Sequence, residues 1–208
     1  YSGSVPKIRI INNSIDHLVV IDGEAIEGAK QNRVIENTAI ISNENSTLVP
    51  VNCVEKGRWH YKSSSFEKAS FSLSPKIRNR KTEYLKNGFD SQSVVWDEID
   101  QLAEKSNKYS ITSDLGEILT RKKTLSSDTF LNEILKTECN GFILQGVESS
   151  FIELFYNSHI CSNQIKKNIN GWIAEQINFE QDKLKANYIL NEFLFIESID
   201  FVKSIFAV

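Results

Sequence analysis

Short β-branched runs crowd the first third of this chain, and they limit the folds open to it. Lys7-Ile8-Arg9-Ile10 alternates polar and apolar residues, the pattern of a half-buried strand. Leu18-Val19-Val20-Ile21, the stretch Val34 to Ile41, and Leu48-Val49-Pro50-Val51 follow. Turn-forming Asn12, Asn13, Ser14 and Asp16 separate the first two. Asp22-Gly23 directly after a β-branched run predicts a two-residue type I′ hairpin turn. Pro50 predicts an edge strand or a bulge, because it has no N–H for a ladder. Such strands cannot shield one another singly, so the expectation is an antiparallel sandwich or open barrel.

The pattern changes near residue 63. Ser63-Ser64-Ser65 reads as a loop, and the chain beyond it reads as mainly helical. Val94, Val95, Ile99, Leu102 and Ala103 share one helical face, with Ser91 or Ser93 as the expected N-cap. Lys76, Arg78, Arg80 and Lys81 form a basic cluster that reads as a solvated face or an anion-facing patch. Gly141–Gly146 and Phe151–Phe155 predict a further β-hairpin. Residues 164–177 and 182–206 read as apolar helices, and Tyr188, Phe193, Phe195, Phe201 and Phe206 read as core or as an oligomer seam. The expected architecture is one α+β domain over 1–208: β-rich to 62, helical over 63–138, a hairpin over 140–156 and helical over 160–206.

Composition excludes some classes. At 208 residues the chain can bury a sizeable core. Its net charge of −3 gives no general attraction to nucleic acid. No apolar run reaches the roughly 20 residues of a membrane span. Cys53, Cys139 and Cys161 are odd in number and lack a CxxC, which points to a reducing, cytoplasmic setting. The chain starts at Tyr1 and contains no methionine, so a native N-terminal segment is expected to be missing.

Two polar runs carry the chemistry. Residues 22–33 read Asp-Gly-Glu-Ala-Ile-Glu-Gly-Ala-Lys-Gln-Asn-Arg, and 53–59 read Cys-Val-Glu-Lys-Gly-Arg-Trp. Neither has an amphipathic period. In the first run Glu24 is a candidate acid/base group. Gln31 and Asn32 can read donor–acceptor edges, and Arg33 can grip a carboxylate or phosphate. In the second, Glu55 and Cys53 are catalytic candidates, while Gly57, Arg58 and Trp59 could clamp and stack on a ligand. The alternative account pairs Arg33 with Glu24 or Glu55, spends the amides on strand backbone, and buries Cys53 and Trp59. Gln92, Trp96, Asp97 and Glu98 form a third cluster, in which Trp96 and Glu98 are ligand candidates. The scattered His17, His60 and His159 give no HxH or HExxH spacing, so no metal is expected. No cofactor motif occurs.

These motifs resemble the ARG-and-rhodanese-phosphatase-superfamily-associated protein domain family. The resemblance rests on Gly23–Arg33, Val49–Trp59 and Val95–Glu98. It runs from Gly3 through Phe155 and more loosely into the Trp172 region. Lys56 stands where many members carry glutamine, and 148–151 departs from the usual glycine-rich hairpin. The resemblance implies an intracellular enzyme or ligand-binding domain for a nucleotide or ADP-ribose-type phosphorylated small molecule. The expected class is a hydrolase or transferase with no assigned reaction. The competing expectation is a non-catalytic interaction module whose polar motifs form a buried clasp. Self-association through the apolar C-terminal helices is also expected.

Overall fold

The computed structural model describes residues 6–119, 140–145 and 150–175. Compact units divide the chain at Thr120 and Arg121. The fold is mixed α+β. In the first unit the strands are β1 (Lys7–Asn12), β2 (Leu18–Val20), β3 (Glu24–Gly28), β4 (Arg33–Ile35), β5 (Ala39–Ile41), β6 (Asn45–Cys53) and β7 (Phe66–Ser72). Five of them make a curled antiparallel sheet, a half-barrel, in the order β1-β6-β4-β3-β7. Strands β2 and β5 make a separate antiparallel pair.

Strand β6 produces the curl by changing partners along its length. Residues 45–50 pair with β1, and residues 51–53 pair with β4. Ile35, Ile41, Val49 and Val51 fill the concave side, with Ile8, Ile10, Val20 and Ala39 packed around them. Burying each such side chain contributes roughly 1.5–3 kcal/mol. This apolar cluster therefore outweighs any single polar contact in setting the curl.

Pro50 is thus interior, not at an edge or a bulge. The reason lies in its position at the handover. One step beyond β4, Glu36 N donates to Pro50 O at 3.0 Å. The return bond is impossible because proline has no N–H. The carbonyl of Glu36 instead accepts from the ammonium of Lys81.

The Asp22-Gly23 turn also differs from expectation. Strand β2 pairs with β5, and β3 pairs with β4 and β7. No β2–β3 hairpin forms. Glu24 N donates to Ile21 O at 3.0 Å, and of the two central residues only Gly23 has positive φ, at 81°. Type I′ needs positive φ at both, so this turn redirects the chain between sheets. The segment after residue 63, expected to be helical, opens instead with strand β7. Its alternation is visible: Ala69 and Phe71 are buried, while Lys68 and Ser70 are exposed.

The helices pack on this sheet. In α1 (Pro75–Lys86), Ser74 is the N-cap, accepting from Ile77 N, and proline occupies the first turn. Helix α2 (Ser91–Ser106) buries Val94, Val95, Ile99 and Leu102 as its spacing requires. Its N-cap is Asp90, not Ser91 or Ser93, with the carboxylate accepting from Gln92 N. Ser91 is fully buried and serves elsewhere. A short α3 follows (Leu115–Leu119).

In the second unit, β8 (Gly141–Gln145) and β9 (Ser150–Leu154) form the expected antiparallel hairpin. Helix α4 (Ser158–Glu175) buries Cys161, Ile165, Ile169 and Trp172, an i, i+4, i+8, i+11 stripe. The Phe142 ring stacks near Phe155, with centroids 6.0 Å apart. No described helix is long and apolar enough to cross a membrane. The expected 182–206 helix and its aromatic residues lie outside the described residues.

Candidate functional site

The two polar runs meet where β3 hands over to β4 and where β6 ends. The β3–β4 turn needs its glycine. Gly28 has φ 128°, and a Cβ there would stand 2.4 Å from Ser65 O. The turn places Asn32 and Arg33 beside Cys53, because Arg33 and Cys53 are paired across β4 and β6. Just past β6, Glu55 bridges to Asp114, which holds the loop ahead of α3 against both runs.

Glu55 and Arg58 form the centre. Arg58 Nε donates to Glu55 Oε1 at 2.7 Å, and Arg58 Nη2 lies 2.7 Å from Oε2. This is a two-pronged, charge-assisted contact. Asn32 N donates to Glu55 Oε2 at 3.0 Å, and Thr112 Oγ1 donates to Oε1 at 3.2 Å. The rest of the guanidinium binds the carbonyls of Ala29 (2.8 Å), His60 (3.2 Å) and Gly28 (3.4 Å), and Asn32 Oδ1 (3.2 Å). Glu55 is 4% exposed and Arg58 7%. The arginine therefore ties the β3–β4 turn to the 56–62 loop from inside.

The amides extend this network. Gln31 Nε2 donates to Glu55 O at 3.0 Å, and Arg33 Nη2 donates to Gln31 Oε1 at 3.2 Å. Asn32 Nδ2 donates to both carboxylate oxygens of Asp114, at 3.3 and 3.2 Å. Gly57 N donates to Thr112 O at 2.8 Å, and a Cβ at Gly57 would meet Thr112 Cα at 2.9 Å. A side chain at 57 would force the two loops apart.

Burial and hydrogen bonding set the charges. Burial works against the Glu55 carboxylate, but donors from Arg58, Asn32 and Thr112 outweigh it and hold its pKa below the ordinary value. Asp114 goes the other way, because burial raises its pKa more than Asn32 and Gly116 lower it. Burial also pushes up the Cys53 thiol, whose Sγ donates to Glu55 O at 3.3 Å. Cys53 is a neutral thiol at pH 7.

The structure thus brings together Gln31, Asn32, Arg33, Cys53, Glu55, Gly57 and Arg58. It places Glu24 elsewhere. Glu24 opens β3, about 13 Å of strand rise from Gly28, and its carboxylate accepts from Ile21 N at 3.0 Å. Trp59 projects outward at 53% exposure. Trp96 stands beside the Cys53 thiol and carries the Lys56 ammonium over its ring at 5.6 Å. Glu98 is buried and joins the helices, with Lys76 at 2.8 Å and Arg80 at 3.4 Å. The basic cluster of α1 divides: Lys76 and Arg80 are exposed and reach back to Glu98, while Arg78 and Lys81 are buried.

Sequence reasoning missed Asp114, Thr112 and the role of Gln92. Asp114 Oδ1 accepts from Gly116 N at 3.1 Å. A Thr-Ser-Asp run ahead of a leucine is a helix-start signal that could have flagged it. Gln92 grips the backbone of Cys53 twice, accepting from its N at 2.7 Å and donating to its O at 2.9 Å. A side-chain amide there stands in for a neighbouring strand. Among the described residues, no group of three or more His, Cys, Asp and Glu side chains gathers as for a metal ion.

The fold and site define an α+β domain whose polar signature locks two loops to the end of a curled sheet. Residues 1–203 match the model of the ARG and Rhodanese-Phosphatase-superfamily-associated Protein domain. The chain belongs to that family. No curated protein and no solved structure matches it.

Proposed function

We propose that this domain is a non-catalytic binding module and that its signature residues form a buried clasp. One observation carries this reading. Glu55 and Arg58 satisfy each other at 2.7 Å, nearly sealed from solvent, and their remaining hydrogen-bonding capacity goes to loop backbone, Asn32 and Thr112. A group that must receive a substrate needs an unspent face, and these two have none. The clasp instead fixes the loops that a partner would meet. Glu55→Gln tests it by thermal unfolding alongside nucleotide and ADP-ribose binding and hydrolysis. The expected result is a loss of about 3 kcal/mol or more, with no turnover by the native chain. A variant of native stability that lost a measurable activity would overturn the reading.

An enzyme acting on a phosphorylated small molecule is a second reading, and Asp114 favours it. Its carboxyl is the one in the network whose pKa is raised, by burial. A raised pKa is the direction a proton-donating carboxyl needs. Under this reading Asp114→Asn abolishes turnover without unfolding the domain.

A further inference from the structure

The loop after β6 reads Lys-Gly-Arg-Trp-His-Tyr-Lys over 56–62. Arg58 turns inward to the clasp, and Lys56 is occupied over Trp96 and by Asp100 at 3.4 Å. The others face out. Trp59 and Tyr61 are 53% and 67% exposed, and His60 and Lys62 are exposed beside them. From the facing β3–β4 turn, Lys30 holds its ammonium 5.1 Å from the centre of the Tyr61 ring. The backbone beneath is fastened: Arg58 grips Ala29 O and His60 O, and Lys62 N donates to Ala29 O at 2.8 Å.

Two large rings held outward on one fastened loop and interleaved with cations make a contiguous amphipathic surface, the kind that marks an interaction site. We propose that this loop, with Lys30, binds single-stranded nucleic acid. Bases stack on Trp59 and Tyr61, and phosphates meet the ammonium groups of Lys30 and Lys62. The inference rests on the binding-module reading and names its partner. The clasp has already ordered the loop, so binding spends little further entropy on it. Rings that project outward favour a polymer, whose successive bases share the platform, over a free nucleotide, which needs a concave pocket. The net charge of −3 opposes this only weakly, since beyond a Debye length of about 10 Å charges are screened and the local lysines decide.

The test is fluorescence anisotropy of the full chain with labelled oligo(dT) and oligo(rU) of about 15 nucleotides in about 50 mM salt. The native chain is expected to bind. Trp59→Ala with Tyr61→Ala is expected to weaken binding at least about tenfold. Lys30→Gln with Lys62→Gln is expected to flatten the salt dependence by about 0.7 in slope per lysine. Trp59→Phe with Tyr61→Phe retains stacking rings and recovers most of the affinity, which separates stacking from folding. No binding by the native chain overturns the inference, as does unchanged affinity in the alanine variant. AMP binding as tightly as the oligonucleotides also overturns it, by assigning the loop to small molecules. None of these results bears on the clasp, which is read from the stability of Glu55→Gln.

Discussion

Two ion pairs with buried cations stand in the first unit, and they differ in construction. Glu55–Arg58 joins residues three apart in sequence, and the arginine spreads its donors over a carboxylate, three carbonyls and an amide. Asp22–Lys81 joins residues from a turn and a helix at 2.5 Å, and the lysine, 0% exposed, adds the Glu36 carbonyl. The first pair is sealed on both sides. The second keeps Asp22 at 28% side-chain exposure, open to water. A planar fork can organise several loops at once, whereas an ammonium acts as a point charge that fills one gap. The signature of this domain is thus built around the group able to coordinate many backbone segments.

Removing each cation in turn tests the difference between the two pairs. Arg58→Ala leaves Glu55 buried and unpaired and frees the carbonyls of Gly28, Ala29 and His60. The expected cost is about 3–5 kcal/mol, read as a lowered denaturant midpoint. Lys81→Met keeps the volume and loses the contacts to Asp22 and Glu36. Because water reaches Asp22, the expected cost is smaller, about 1–3 kcal/mol. Equal losses in the two variants would show that the spread of the fork contributes nothing.

Acid titration of the sealed pair is expected to give a smaller effect than either substitution. The folded-state pKa of Glu55 lies below the ordinary value of 4.5. Its contribution is therefore fully present above that value and is lost as pH falls through the lower folded-state pKa. Thermal melts of the native chain should fall in that acid window, and Glu55→Gln should flatten the fall. Asp114, with a raised pKa, has the opposite sign. It favours the folded state most below its ordinary 3.8 and loses that contribution as it ionises.

What was legible in the sequence follows the same divide. The residues of the sealed site lie in two contiguous runs, so their grouping could be read directly. The runs leave an open ligand site and a buried clasp as alternatives, because Asp114 and Thr112, which close the site, come from a loop far along the chain. Asp22 reads as a hairpin residue because Asp-Gly after a β-branched run has that meaning locally. Only the tertiary pairing of β2 with β5 shows that the turn joins two sheets. Lys81 reads as a surface base because helical spacing says nothing of what faces it. The strand runs predict an antiparallel sandwich or open barrel and the sheet is a curled half-barrel, but nothing in them predicts the joining of β7 to β3, because its seven residues of modest alternation fall in the half that reads as helical.

The handover in β6 makes two distant positions interdependent. Lysine at 81 answers a vacancy that proline at 50 creates. A residue with an N–H at 50 would restore the ladder bond to Glu36 and leave the ammonium competing for an occupied carbonyl. The effects of substituting the two sites are therefore not additive: how well the chain tolerates losing its lysine depends on which residue its strand carries at the turn of the barrel.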